Sequence, residues 1–128
     1  MTALAPSSPF STATADELTL RDVESLAAFL YARLEESKAA HDGDEEVYRL
    51  ASGFRFLLSS QLRDARAAFG RGGPSASLAA RRRQWNKLVR FGTAWKGCDG
   101  YDTARWKHVL HDDADEAARA AAERLERL

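Results

Sequence analysis

The chain has 128 residues, with 19 Lys and Arg against 19 Asp and Glu, three His and one Cys, a length and a balance that fit one compact domain. Ala (24) and Leu (15) dominate, Ile is absent and Val occurs four times, which favours helix over sheet. No apolar run approaches the roughly 18 residues of a membrane span, and the single Cys98 excludes an internal disulfide or a paired-thiol zinc site. A reducing, cytoplasmic setting is therefore expected.

The first 18 residues, rich in Ala, Ser, Thr and Pro, offer little apolar area to offset the entropy of ordering. They lack the charged and apolar regions of a secretory signal. A flexible tail over 1–18 and one helical domain over 19–128 are expected.

Thr19 with Asp22 three residues on has the spacing of a capped helix start. A first helix is predicted over Leu20–Ala40, with Leu20, Val23, Leu26, Ala27, Leu30, Tyr31 and Leu34 on one arc and Phe29 outside it. His41-Asp42-Gly43 stops it. Asp44 then caps a second helix, with Glu45 and Glu46 in its first turn and an end near Phe69. Its apolar face runs from Val47 through Phe54, Leu58 and Leu62 to Ala65, and Phe56 points elsewhere.

Gly70-Arg71-Gly72-Gly73-Pro74 breaks the pattern. Ser75 or Ser77 caps a third helix that carries Leu78, Trp85, Leu88, Val89 and Gly92 on one face and ends between Phe91 and Trp95. After a Gly-flanked loop around Cys98, a fourth helix is expected from near Thr103, with Trp106, Val109 and Leu110. It either continues to the end or restarts at Asp112 or Asp113. Ala114, Ala118, Ala121, Leu125 and Leu128 form a short heptad-like seam of small residues, flanked by an alternating-charge row at Asp115, Arg119, Glu123 and Arg127. Trp85, Trp95, Tyr101 and Trp106 are expected to pin the loop to the core. The expected architecture is an all-α small helical bundle of three to four helices with a disordered N-terminal tail.

The balanced total conceals three blocks: net −7 over residues 1–48, +10 over 49–107 and −3 over 108–128. One reading is internal complementarity, a basic centre packed between acidic flanks. The other is a basic nucleic-acid surface built from Arg55, Arg63 and Arg66 on the second helix and Arg83, Lys87 and Arg90 on the third. Arg81 falls on the core arc of the third helix, so it lies either in a frayed first turn or against a carboxylate, of which the ion pair is the favoured reading. The five-residue Gly70–Pro74 separator is too long for the turn of a helix-turn-helix.

Phe29, Tyr48 and Phe56 lie off the main apolar arcs. They fit either a second packing layer or anchors of a protein partner or homodimer surface. His108, His111, Asp112 and Asp115 cluster in sequence, but no matching ligand set stands elsewhere, so no metal site is assigned. Gly70–Pro74 has no strand before it and does not make a phosphate-binding loop, and no motif links Cys98 to a base. No catalytic residue, cofactor or membrane partner is expected.

The segment Leu26–Glu36, with Phe29-Leu30 followed by Ala32-Arg33-Leu34 and two acids, and the segment Leu88–Trp106, with Ala94-Trp95, a turn, Tyr101 and Trp106, resemble short proteins of unknown function from high-GC Gram-positive bacteria and their phages. The resemblance implies a small helical cytoplasmic protein and carries over no functional residue. The leading expectation is a non-enzymatic protein–protein interaction module that self-associates; the alternative is the nucleic-acid-binding surface.

Overall fold

The computed structural model describes residues 13–128. The described residues form four α-helices, α1 (Leu20–Ala40), α2 (Glu45–Ala68), α3 (Leu78–Gly92) and α4 (Ala114–Glu126), with 3-10 turns at Ala15–Glu17 and Thr93–Trp95. The all-α expectation holds. No helix among the described residues is long and apolar enough to cross a membrane.

The caps follow from the sequence. Thr19 and Asp22 form a capping box: the Asp22 N–H donates to Thr19 Oγ1 (3.3 Å), and the Thr19 N–H donates to Asp22 Oδ2 (2.8 Å). Asp44 Oδ1 accepts from the N–H groups of Glu46 (3.0 Å) and Val47 (3.2 Å). Ser77, rather than Ser75, starts α3 by accepting from the Ala80 N–H (3.2 Å). Each cap satisfies helix-end donors that the first turn leaves unpaired. Gly70 closes α2 at φ +87°, and a Cβ there would sit 2.9 Å from Ser75 Oγ. Both facts demand glycine.

α1, α2 and α3 pack on one another around a single core. Val23, Leu26 and Leu30 of α1, Leu58 and Leu62 of α2, and Trp85 and Leu88 of α3 are fully enclosed. Gly92 lets Tyr101 and Leu26 approach α3: a Cβ there would meet them at 3.3 and 3.4 Å.

The fold begins earlier than residue 19. Ala15 and Leu18 are buried, and the N–H groups of Ala15 and Asp16 donate to the carbonyls of His111 (3.0 Å) and Asp112 (3.1 Å). The expected tail is therefore corrected over residues 13–18, where the Ala15–Glu17 turn packs against α3 and its backbone bonds to a distant loop. Its first 12 residues lie outside the described residues.

The fourth helix starts later than Thr103. Residues 96–113 form a strap across α3, and the restart at Asp113 is the alternative realised: Asp113 Oδ1 accepts from the Glu116 N–H (2.7 Å) and opens α4. The strap is non-helical because α3 side chains satisfy its backbone. Trp85 Nε1 donates to the Lys107 carbonyl (2.9 Å). Asn86 Nδ2 donates to the Val109 carbonyl (3.0 Å), while Asn86 Oδ1 accepts from the Val109 N–H (2.8 Å). Tyr101 Oη donates to the Trp106 carbonyl (3.1 Å), and Trp106 and Val109 are buried. The expected aromatic pinning is present for Trp85, Tyr101 and Trp106, whereas Trp95 packs against Phe54 of α2.

Candidate functional site

The charge blocks meet across the fold. Five ion pairs join different parts of the chain: Glu35–Arg55 (2.7 Å), Glu24–Arg66 (2.6 Å), Glu24–Arg71 (3.4 Å), Asp22–Arg105 (2.6 Å) and Asp112–Arg82. Every one links an acid of a flanking block to a base of the central block. Asp22 and Arg105 form the most enclosed pair. Burial disfavours the Asp22 carboxylate, but two hydrogen bonds from Arg105 and one from the Thr19 backbone outweigh it and hold its pKa below the ordinary value. The same contact raises that of Arg105. The fork from Arg66 holds Glu24 below its ordinary value as well.

The six sequence-predicted cations consequently do not form one patch. Arg55 and Arg66 turn toward α1, where they meet Glu35 and Glu24, and the Arg55 guanidinium also lies 5.1 Å from the Tyr31 ring centre. Arg63 is exposed, on a part of α2 away from α3. Arg83, Lys87 and Arg90 are exposed on α3 opposite the Trp85 and Leu88 stripe. Among the described residues none of these four is in an ion pair. Arg81 is half-buried and also without an ion pair; its Nε is enclosed. The carboxylate expected for Arg81 goes to its neighbour Arg82, which reaches Asp112 on the strap.

A concavity of about 130 Å³ continues the α3 surface, lined by Val89, Thr93, Lys96, Tyr101, Trp106, Lys107 and His108. Burial and then the nearby Arg90 charge hold His108 below its ordinary pKa, and burial raises that of Tyr101. Sequence reasoning did not place Lys96 and Lys107 here, because Lys96 falls in the expected loop around Cys98 and Lys107 in the expected fourth helix, and neither reading brings them together. With Asp112 engaged by Arg82, the His108–Asp115 cluster is broken up, and no group of metal-ligating side chains assembles among the described residues.

The three off-arc aromatics also separate. Phe29 lies 5.6 Å from Tyr101 and 5.1 Å from Trp106 between ring centres, beneath the strap, with Arg33 over its face. It belongs to the packing layer and is not free to anchor a partner. Tyr48 and Phe56 are 60% and 75% exposed and border an open groove with Lys38, Ser52, Arg55 and Ser59. Leu50 and Leu57 are exposed on a neighbouring face of α2.

The least expected surface is α4. None of its residues is buried, and it packs along none of the other three helices. Leu125 and Leu128 are 70% and 97% exposed, and Ala114, Ala118 and Ala121 stand in solvent beside them. The whole heptad-like seam thus faces outward. Comparison of the chain with protein-family models, with curated proteins and with solved structures finds no match.

Proposed function

We propose that the protein is a non-enzymatic interaction module that self-associates, with α4 as the contact. The observation that carries this reading is the outward seam of α4. A helix of 13 residues is marginal in water without packing, and large apolar side chains left on one face mark a contact surface.

The occupant is a second copy, and charge selects it. Asp113, Asp115 and Glu116 mark the start of α4 as acidic, whereas its end balances Arg124 and Arg127 against Glu123 and Glu126. Antiparallel pairing separates the two acidic starts, sets each against the balanced end of the other helix and opposes their dipoles. Parallel pairing stacks like charges. Antiparallel pairing also places Leu128 opposite Ala114 and Leu125 opposite Ala118 of the second copy, large against small, with Ala121 near the two-fold axis. That alternation permits close helix approach.

Sedimentation equilibrium tests the reading. The wild-type chain is expected to dimerise with rising concentration, and Leu125→Ser/Leu128→Ser to remain monomeric. Phe56→Ser, on α2, should leave the equilibrium unchanged. In a Cys98→Ser background, a chain carrying Ala114→Cys should cross-link with one carrying Leu128→Cys, fixing the antiparallel register. A strict monomer at every accessible concentration would refute the proposal.

A further inference from the structure

We infer that the outer face of α3, with the adjoining Lys96–Lys107 concavity, binds the phosphodiester backbone of duplex nucleic acid without reading its sequence. The inference stands apart from self-association, since it uses none of the α4 seam.

Arg83, Lys87 and Arg90 recur at four- and three-residue spacing on one side of α3, over about 10 Å of helix length. They project into solvent away from Trp85 and Leu88. From Ala65 to Cys98 the chain contains no Asp or Glu, so α3 supplies no acid of its own to cancel them. The acids that reach the central block are engaged elsewhere: Glu24 and Glu35 on α2 and the loop after it, Asp22 on Arg105, and Asp112 on Arg82. Past the end of α3, Lys96 and Lys107 line a hollow together with Val89, Thr93 and Trp106. The fold thus pairs Arg55, Arg66, Arg71, Arg82 and Arg105 with acids and leaves Arg83, Lys87 and Arg90 exposed on α3, with Arg90 near His108 of the hollow that Lys96 and Lys107 line.

The surface chemistry chooses the partner. A protein interface has an apolar centre, and a membrane-surface helix presents apolar side chains between its cations. None of the exposed large apolar residues lies on α3; they are Tyr48, Leu50, Phe56, Leu57, Leu110, Leu125 and Leu128. Trp106 is buried, and the Tyr101 ring packs edge-on against Phe29 and Trp106, so neither ring of the hollow stands free to stack on a base. What remains is a row of point charges suited to phosphates, which position nucleic acid without specifying sequence.

Fluorescence anisotropy of the full chain with two labelled duplexes of unrelated sequence tests this. Five phosphate contacts predict a log–log salt slope of about −4.5, hence a loss of roughly a hundredfold in affinity for a threefold rise in salt. Both duplexes should bind alike. Arg83→Glu/Arg90→Glu should weaken binding at least tenfold and flatten the slope to about −2.7 or less, with an unchanged far-UV circular dichroism spectrum because both side chains are exposed. Arg63→Glu, on α2 away from this face, should bind as wild type. Lys96→Gln/Lys107→Gln gives an independent variant in which each loss is a single charge, and should also flatten the slope. The inference is overturned if the wild type fails to bind at low salt, if its slope is unaffected by the α3 variant, or if phosphatidylserine vesicles bind while duplex does not.

Discussion

α3 and α4 begin in the same way and end up in different physical situations. Ser77 and Asp113 each cap a helix start by accepting a backbone N–H three residues on. α3 then buries Trp85, Leu88, Val89 and Gly92 and lends Trp85 and Asn86 to the strap. α4 buries nothing. The contrast shows that capping and apolar periodicity specify where a helix forms, while docking depends on whether the apolar side chains are large enough to be worth enclosing. The seam of α4 has three alanines before its first leucine, too little area to hold it on its own bundle.

Substitutions that widen or narrow this contrast follow in order of size. Trp106→Ala removes a buried indole that locks the strap onto Phe29 and α3, and should destabilise by roughly 3–5 kcal/mol in chemical denaturation; a loss under about 1 kcal/mol would mean the strap is not part of the core. Asp22→Ala, which removes both the capping box and the Arg105 fork, should cost about 2–3 kcal/mol. Its sign with pH is fixed. Because the folded state lowers the Asp22 pKa, the stabilisation is present above the ordinary carboxylate range and is lost as pH falls through the folded value. Wild type should therefore lose more stability on acidification than Asp22→Ala; equal acid sensitivity would contradict the assignment. Leu125→Ser/Leu128→Ser should shift the unfolding free energy of the monomer by less than about 0.5 kcal/mol, measured below the concentration at which dimers form.

Much of this fold is legible in the residues. The starts of α1 and α2 follow from Thr19 and Asp44, and the core stripe of each long helix follows from its period; for α4, Asp113 is one of the starts the residues leave open. What escaped the sequence was long-range. Trp106 and Val109 have helical spacing, yet the pairing of Asn86 with Val109 gives their backbone another place to bond. Ala15 and Leu18 look unremarkable until His111 supplies carbonyls for their segment. The candidate surface was legible only in part: Arg83, Lys87 and Arg90 are where the helical period puts them, whereas the loss of Arg55 and Arg66 to Glu35 and Glu24, and the arrival of Lys96 and Lys107, depend on tertiary placement. Phe29 and Phe56 are alike on a helical wheel and differ because only Phe29 has the strap above it.

Hydrogen exchange of the α3 and α4 amides across a dilution series tests the central claim most directly. α3 amides should exchange only through global unfolding, with protection independent of concentration. The α4 amides should exchange by local opening in dilute solution and gain protection as concentration rises and the second copy covers the seam. Equal, concentration-independent protection in both helices would contradict the account.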